Sequence, residues 1–347
     1  MAIIDKPSDY FNTKLYTGTG SSLAVTGVGF QPDLNWTKDR GATENHTLTD
    51  AVRGATKRLF SNTTGAESIN VSSLTSFDSD GFTVAGAGTN GGNNQNYVSW
   101  NWKAGTSVSG TTTGSGTAKT YSGSVNTDAG FSIITYVGNN SAGMTVPHHL
   151  GAVPKMIIVK NRDEGTESWQ VYHGSLGATK YLNLNLSNAV GTNSNRWNNT
   201  EPTSSVFTNG VNGATNENNS DHIAYCFAEK QGYSKFGSYI GNGNDDGTFI
   251  YLGFKPAWTM IKRTNSADNW VIDDATRSPF NLMENTLYAN LSNAEYTSNL
   301  YGIDFLSNGF KIRDNDGNYN GSGSTYIYMA FAENPFVTST GVPATAR

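Results

Sequence analysis

The sequence predicts an all-β protein built from three homologous β-sandwich repeats of jelly-roll or lectin-like type. The 347 residues include 39 glycines, 12% aromatic residues and only 15% charged residues. Glycine and asparagine supply the backbone conformations of tight hairpins, whereas aromatic and β-branched residues favour strands. No segment shows a convincing helical period, and turn residues recur every 8–12 residues, as in sandwiches and barrels.

The strongest indication of three repeats is a set of landmarks that recurs in the same order. Each copy has a Gly-x-x-Pro turn, then a strand with a lysine six residues after the proline. The prolines are Pro32, Pro154 and Pro256, and the lysines are Lys38, Lys160 and Lys262. Further along come His46, Trp169 and Trp270, each four residues before Asp50, His173 and Asp274, respectively. This agreement indicates a duplicated unit of about a hundred residues rather than a short-period solenoid.

Each copy ends with a hairpin cue and an aromatic-rich strand. The hairpin cues are Asp80-Gly81, Asn209-Gly210 and Asn308-Gly309, and the closing strands span 97–104, 222–229 and 326–333. At Asn308-Gly309 we expect a two-residue turn with positive φ at both positions. Because the closing strands are apolar on both faces, we expect them in the middle of their sheets.

The pitch of the landmarks defines the predicted domains. Residues 1–105, 129–231 and 232–336 are the repeats, residues 106–128 are a Gly/Ser/Thr-rich linker or an added hairpin, and residues 337–347 are a C-terminal tail. The linker region accounts for the extra length of about twenty residues between the first two repeats.

Composition excludes several classes of function. A net charge of −5 offers no basic surface for nucleic acid. No apolar run approaches the roughly 18 residues that span a bilayer, and the N-terminus lacks the features of a signal peptide. We therefore expect synthesis in a cytoplasm without membrane insertion. The single cysteine, Cys226, excludes an internal disulfide and is expected in the core.

The sequence contains no recognisable catalytic or metal-binding constellation. Asp273 and Asp274 are adjacent and would point to opposite faces of a strand. His148-His149 has no acidic or cysteine partner at ligand spacing, and the run 314–318 lacks the ligand spacing of a calcium loop. We interpret that run as an acidic hairpin turn. The prediction is a protein without catalytic residues, metal or cofactor.

A few residues have two interpretations. Asn195, Arg196 and Trp197 lie in a polar run, where the indole could stack on a sugar of a ligand or could cap the end of the sandwich. His173 is expected at a surface or turn position, whereas Trp169 and Trp270 are expected to pack in the core. Asn-x-Ser/Thr sequons such as Asn62, Asn185 and Asn290 are interpreted as chance matches in an Asn-rich chain.

Five runs of residues resemble a known group of proteins. They are Asp9–Thr13, Gly29–Asp33, Ala51–Gly54, Gly232–Tyr239 and Ala330–Phe336. Together with the closing residues 343–347, they resemble a family of tail, tail-fibre or virion structural proteins of tailed phages of marine bacteria. The resemblance spans essentially the whole chain, and the family carries no established catalytic or binding residues.

The resemblance implies a structural protein of a phage particle, located in the tail, tail fibre or capsid surface and acting by assembly and surface presentation. Its partners would be other virion proteins and further copies of itself as a homo-oligomer. The alternative is a receptor- or glycan-binding adhesin that contacts a host cell-surface glycan during host attachment. A polysaccharide depolymerase is the third choice, because no alternating carboxylates of the glucanase type are present.

Overall fold

The computed structural model describes residues 3–298 and 302–343, and the regular secondary structure of this part of the chain is almost entirely β-strand. The exceptions are a 3-10 turn at Pro7–Asp9 and two short helices, α1 (Ser194–Trp197) and α2 (Gly213–Asn216). The predicted all-β class is therefore confirmed. The last four residues of the predicted C-terminal tail, 344–347, lie outside the described residues. We call residues 1–105, 129–231 and 232–336 segments 1, 2 and 3.

Segment 1 contains nine strands in two sheets. They are β1 (Phe11–Thr17), β2 (Ser22–Thr26), β3 (Leu34–Asp39), β4 (Thr47–Asp50), β5 (Lys57–Phe60), β6 (Ser68–Ile69), β7 (Leu74–Asp78), β8 (Gly81–Ala85) and β9 (Asn96–Trp102). The large sheet has the order β1-β9-β3-β4-β5-β6 and the small sheet the order β2-β8-β7. The closing strand β9 therefore has a hydrogen-bonded neighbour on each side, as its apolar faces predict.

Segment 3 has the same strand order as segment 1. Its strands are β21 (Ser234–Ile240), β22 (Phe249–Tyr251), β23 (Phe254–Arg263), β24 (Trp270–Asp274), β25 (Asn285–Tyr288), β26 (Tyr296–Thr297), β27 (Ile303–Leu306), β28 (Gly309–Ile312) and β29 (Thr325–Pro335). They form the sheets β21-β29-β23-β24-β25-β26 and β22-β28-β27. This recurrence is what repeated units would show, and their homology stays a prediction.

Segment 2 follows the same plan with one addition and one loss. The region 106–128 contains β10 (Thr106–Thr111), β11 (Thr113–Gly114) and β12 (Thr120–Asn126). The strands of the segment itself are β13 (Phe131–Val137), β14 (Met144–Pro147), β15 (Met156–Asn161), β16 (Gln170–His173), β17 (Lys180–Asn183), β18 (Gly191–Thr192), β19 (Val206–Asn209) and β20 (Asp221–Phe227). The sheets are β10-β12-β13-β20-β15-β16-β17-β18 and β11-β14-β19.

The small sheet of segment 2 corrects one predicted hairpin. Strand β19 pairs with β14 as β8 pairs with β2, and no counterpart of β7 is present in the described part of segment 2. Asn209-Gly210 therefore follows β19 and leads towards α2 instead of forming a hairpin turn. The prediction placed Asn209-Gly210 in a turn before the strand, whereas in the structure the dipeptide follows the strand. Asn-Gly also suits loops that precede a helix, so the dipeptide alone does not distinguish the two positions.

The Asn308-Gly309 turn also differs from the prediction. Leu306 pairs directly with Gly309, so the two-residue loop is Ser307-Asn308, and neither Asn308 nor Gly309 has a positive φ. Glycine is required for another reason: a Cβ atom on Gly309 would lie 2.0 Å from the carbonyl oxygen of Ile250 on the neighbouring strand.

The three large sheets bury one face each in a common apolar core, which we call the central core. Its members include Phe11, Trp36, Trp100 and Trp102 from segment 1, Phe131, Ile158, Trp169, Tyr225 and Phe227 from segment 2, and Trp258, Met260, Trp270, Met329 and Phe331 from segment 3. The opposite faces of the large sheets of segments 2 and 3 pack in smaller cores with their own small sheets. The segments are therefore not independent sandwiches, because the residues of all three complete one core.

Equivalent backbone hydrogen bonds join the segments in the cyclic order 1–2–3–1. Glu67 N–H donates to the Arg162 carbonyl (2.7 Å), Val190 N–H to the Thr264 carbonyl (2.8 Å), and Glu295 N–H to the Arg40 carbonyl (2.8 Å). The first residue of each pair lies just before the last strand of a large sheet, and the second lies just beyond β3, β15 or β23 of the next segment. Each segment thus contacts both others.

Two of the three interfaces also contain a buried ionic arrangement. Glu67 lies between Arg53 (3.2 Å) and Arg162 (2.9 Å). Likewise, Glu295 lies between Arg277 (3.0 Å) and Arg40 (2.6 Å). At the interface of segments 2 and 3, the corresponding positions are Leu176, Val190 and Thr264. The two arginines and the glutamate of the other interfaces are thus replaced together by uncharged residues. No buried charge is therefore left without an opposite charge beside it.

Of the two settings expected for His173, a surface or a turn position, the surface position is wrong: the residue is buried at the end of β16, where a turn begins. His173 is 1% exposed and its Nε2–H donates to the Tyr328 carbonyl of segment 3 (3.2 Å). At the equivalent interfaces, Tyr225 donates its hydroxyl proton to Asp50 (2.8 Å) and Trp100 Nε1 donates to Asp274 (3.0 Å). The position bonds the next segment, which sequence reasoning within one repeat cannot detect.

The sequons at Asn62, Asn185 and Asn290 occupy a recurring structural position. Their side-chain oxygens accept the backbone N–H of His46 (3.0 Å), Trp169 (3.0 Å) and Trp270 (2.9 Å), respectively. These asparagines thus have a structural role in the fold, and the interpretation of the sequons as chance matches to a glycosylation motif stays a prediction. Each one fixes the backbone at the beginning of β4, β16 or β24, where the chain enters the central core.

Candidate functional site

Segment 3 contains a surface pocket of about 320 Å³ with an aromatic and acidic lining. Its wall is formed by Thr286, Tyr288, Tyr296, Ser298, Asp314, Asn315, Asp316, Asn318 and Tyr319. The first residues come from β25 and β26 at the edge of the large sheet, and the others come from the loop between β28 and β29. The pocket therefore lies where the sheet edge and this loop meet.

The loop that supplies the acidic residues is held by its own hydrogen bonds. The Asp314 carboxylate accepts the N–H of Asp316 (2.7 Å), and the Asp316 carboxylate accepts the N–H (2.8 Å) and the side-chain amide (2.7 Å) of Asn318. Such Asx contacts define the loop conformation without a metal ion. The run does not form the predicted hairpin turn, because it connects the small sheet to the large one.

Burial controls the charge of Asp314, which is 1% exposed. Burial, together with the negative charges of Asp316 and Asp245, raises the pKa of Asp314 to about 6, against the effect of backbone hydrogen bonds from Asp316 and Asn315. The Asp316 side chain is exposed. The pocket consequently becomes more negative as the pH rises through about 6.

A buried polar network lies behind the pocket wall. The Tyr319 hydroxyl donates to Asp273 (3.0 Å), and the Thr286 hydroxyl donates to the same carboxylate (2.9 Å). Burial raises the pKa of Asp273 to about 7, although the nearby Arg277 charge and these hydrogen bonds oppose the rise. Asp274 points to the other face of β24, towards Trp100, as the alternation of a strand predicts.

The lining suits a hydroxyl-rich ligand. Tyr296 is 52% exposed, so one face of its ring is available for stacking. Carboxylate and amide groups beside it accept and donate hydrogen bonds to hydroxyl groups. In the described parts of the chain, no group of three or more His, Cys, Asp or Glu side chains is arranged to hold a metal ion.

The pocket is particular to segment 3. Pairing places Tyr288 where segment 1 has Phe60 and segment 2 has Asn183, and it places Tyr296 at the edge position of Ser68 and Gly191. Sequence reasoning singled out the run 314–318 but interpreted it as a hairpin turn, and it missed Tyr288 and Tyr296 because it compared positions that the three segments share. The available signal was the opposite: polar and aromatic residues at which one segment departs from the other two.

The predicted ligand contacts at Asn195, Arg196 and Trp197 do not form an exposed aromatic surface. Trp197 is 2% exposed and packs edge-on against Tyr172, with ring centroids 6.0 Å apart. Arg196 lies over the Tyr181 ring, 4.7 Å from its centroid, whereas Asn195 is exposed. An indole in this position cannot stack on a sugar, so the structure supports the alternative in which Trp197 caps the sandwich.

Helix α1 explains the inward position of Trp197. The Asn193 side chain caps the helix by accepting the N–H of Asn195 (2.9 Å), and one helical turn then directs Trp197 into the core of segment 2. Because no strand equivalent to β7 or β27 is described in this segment, the helix provides apolar cover at that end of the small sheet.

Of the other singled-out residues, His148 and Cys226 are buried, and His149 is partly buried. Burial lowers the pKa of His148 to about 4, and its Nε2 bonds the Thr203 carbonyl (3.1 Å). His149 bonds the hydroxyl of Tyr121 on β12 (2.8 Å). Cys226 is fully buried, as its mid-strand position predicts, and burial raises the pKa of its thiol to about 12.

Comparison with known proteins assigns the chain to a family and leaves its activity open. Within the described residues, both helices are far too short to cross a membrane. No curated protein and no solved structure matches the chain. A family model described as a domain of unknown function (DUF7483) matches residues 6–335, and the chain therefore belongs to the DUF7483 family.

Proposed function

We propose that this chain is a non-catalytic structural component of a phage particle, placed in the tail, tail fibre or capsid surface. It acts by assembly and by presenting loops at the surface, with other virion proteins and further copies of itself as partners. The resemblance of the five sequence runs supports the phage assignment. The observation that carries the structural role is the central core, to which all three segments contribute.

A common core makes the three segments mechanically one body. Trp102 and Trp258 meet edge to face with centroids 5.7 Å apart, and Phe11 stacks on Phe331 at 5.0 Å, so aromatic contacts join segments 1 and 3. Such pairs contribute about 0.5–1.5 kcal/mol each beyond the area they bury. Together with the cyclic interfaces, they oppose hinge motion between segments, which suits a load-bearing component of a particle.

The test of this proposal is the location of the chain. Purified particles should contain it in a fixed copy number by quantitative mass spectrometry, and gold-labelled antibodies against it should mark one site on intact particles. A chain that is abundant in infected cells but absent from purified particles would contradict a structural role in the virion.

A second candidate function is glycan binding by the pocket of segment 3, as a receptor-binding adhesin would require. The observation that favours it is the combination of the half-exposed Tyr296 ring with the Asp314 and Asp316 carboxylates. Aromatic stacking supplies apolar contact with the faces of a sugar ring, while the carboxylates accept its hydroxyl protons. Segments 1 and 2 lack the tyrosine at this edge position.

This candidate is tested on immobilised host surface polysaccharide. The full chain should bind in a saturable manner, and Tyr296→Ala should weaken binding at least tenfold, which corresponds to about 1.4 kcal/mol. Tyr251→Ala is the matched control, because Tyr251 is equally exposed (55%) but lies outside the pocket. Equal binding by the two variants, or no binding by the unaltered chain, would refute the candidate.

A further inference from the structure

The three large sheets differ in what covers their first strand. Strands β1, β13 and β21 occupy the same place in the strand order, each beside the closing strand. Among the strands that the structure describes, only β13 of these three has a second neighbour, β12, and β11 likewise covers the adjacent edge of the small sheet at β14. In the residues that the structure describes, β21 and β22 have no such cover. Segment 2 thus shows that an additional antiparallel strand can pair with the first strand of the large sheet.

The covering strand is held where segments 1 and 2 meet. Ser124 of β12 lies opposite Ile133, and its hydroxyl donates to Asp33 of segment 1 (3.3 Å) while accepting the N–H of Gly105 (2.7 Å). Asp33 also accepts the N–H of Ala104 (2.8 Å). A carboxylate on one segment and a hydroxyl on the added strand therefore determine how the strand is placed.

The corresponding junction of segments 2 and 3 is an open groove of about 630 Å³. Lys155 occupies the position of Asp33. The Lys155 N–H donates to the Phe227 carbonyl (2.7 Å), just as the Asp33 N–H donates to the Trp102 carbonyl (2.8 Å). Phe236 of β21 occupies the position of Ile133 in the strand order. The position that carries a carboxylate, Asp33, at the junction of segments 1 and 2 thus carries a positively charged lysine, Lys155, at the junction of segments 2 and 3.

Lysines dominate this groove. Lys155, Lys230 and Lys235 line it, with Glu229 as the single carboxylate among its lining residues. No ion pair is formed by these three lysines with the described residues, and Lys235 instead lies over the Tyr251 ring, 5.5 Å from its centroid. An occupant with a negative charge would therefore find cations that are not already paired.

The backbone of β21 offers hydrogen-bonding groups to the same side. The Gly241 N–H points towards β29, where it donates to the Ser324 carbonyl (2.8 Å), so by alternation the N–H groups of Phe236 and Ser238 point to the open edge. The Phe236 N–H has only a long contact with the Glu229 carboxylate (3.5 Å). Beside this edge, the Tyr251 side chain is 55% exposed. An uncovered edge of this kind is a template for another strand.

We propose that the edge of β21 accepts an extended, antiparallel strand of a partner protein that carries a carboxylate at the residue opposite Phe236. That residue corresponds to Ser124 of the internal hairpin, and its carboxylate would lie at Lys155 in place of the Ser124–Asp33 contact. The equivalent position in segment 3 is Ala257, which has no charge. The edge of β1 therefore has no lysine that would favour a strand with a carboxylate. The proposal goes beyond the structural role, because it names the surface and the chemistry of the partner.

The probe is a synthetic peptide of residues 119–126, which includes all of β12, in two versions: Ser124→Glu and Ser124→Lys. Each peptide is titrated against the full chain, and hydrogen exchange of residues 234–240 is followed by mass spectrometry. We expect the glutamate peptide to slow exchange in β21 and to bind at least tenfold more tightly than the lysine peptide. If neither peptide protects β21 at millimolar concentration, the edge is not an acceptor.

Two variants of the chain separate the contribution of backbone hydrogen bonds to peptide binding from the contribution of charge. Lys155→Glu should reverse the preference between the two peptides, whereas Lys57→Glu, on β5 of segment 1 and outside the groove lining, should leave the preference unchanged. Ser238→Pro removes an outward N–H that bonds no neighbouring strand and should abolish binding of both peptides with an unchanged melting temperature. Binding of both peptides to Ser238→Pro, or an unchanged preference in Lys155→Glu, would overturn the proposal.

Discussion

The carboxylate of Glu67 offers a direct test of how the segments are held together. It accepts hydrogen bonds from Arg53 of its own segment (3.2 Å) and from Arg162 of segment 2 (2.9 and 3.0 Å). Glu67→Gln keeps the shape of the side chain but removes the charge between two guanidinium groups. A hydrogen bond to a charged group contributes about 1.5–3 kcal/mol, and breaking a buried ion pair costs about 3–5 kcal/mol.

The magnitude for Glu67→Gln is at the lower end of these ranges. The Arg53 side chain is fully buried but keeps its second carboxylate, Asp50, and Arg162 is slightly exposed. We therefore expect the free energy of unfolding to fall by about 2–4 kcal/mol. Urea denaturation at pH 7 measures this as a lower midpoint with an unchanged slope.

The pH dependence of the same variant provides an independent check. Burial alone would raise the pKa of Glu67, but the hydrogen bonds and charges of Arg162 and Arg53 outweigh burial and lower it. Because the folded pKa is depressed, the stabilisation is present above the unfolded pKa and is lost as the pH falls through the folded pKa. The difference between the unaltered chain and Glu67→Gln should thus shrink below about pH 4.

The third interface supplies the matched control. A combined variant, Asp50→His with Arg53→Leu, Glu67→Val and Arg162→Thr, copies the residues found between segments 2 and 3. Replacing a whole buried ionic set by packed uncharged residues is often neutral or stabilising, so this variant should be more stable than Glu67→Gln. The reasoning fails if Glu67→Gln changes stability by less than about 0.5 kcal/mol, or if the combined variant is the less stable of the two.

Four further predictions follow from individual residues. Trp197→Ala should lower the free energy of unfolding by about 3–5 kcal/mol in urea, because the ring is buried; a change near zero would show that it is exposed in solution. Cys226 should react with a thiol reagent slowly in the native protein and quickly in urea, since burial raises its pKa to about 12; fast native labelling contradicts its core position. Gly309→Ala should cost about 1–3 kcal/mol, because the new Cβ would meet the Ile250 carbonyl; a neutral melting temperature argues against this close approach. Burial raises the folded pKa of Asp273 to about 7, above its unfolded value of about 4, so the stability of the unaltered chain should fall as the pH rises from about 4 to about 7 and then level off; Asp273→Asn should gain stability relative to the unaltered chain over that range, and urea midpoints that stay parallel there would disprove this.

Local patterns in the sequence were sufficient for the fold class and for several single positions. The all-β prediction depends on turn chemistry and strand propensity, which act over a few residues. The apolar character of both faces placed β9, β20 and β29 inside their sheets, and it placed Cys226 in the interior. These features follow from neighbours in the chain, so the sequence alone determines them.

Features that depend on distant neighbours were decided only by the tertiary structure. His173 was expected at a surface or turn position, but it is buried at an interface, where its ring bonds the carbonyl of Tyr328, 155 residues away. Trp197 looked like a polar-loop residue, but the turn of α1 directs it into a core that another part of segment 2 completes. The pocket of segment 3 arises where β26 and the loop around Asp314 meet. Alternation and spacing describe one strand at a time, whereas burial and pKa depend on which strands the fold brings together, and this is why the shared core and the pocket could not be predicted from one repeat.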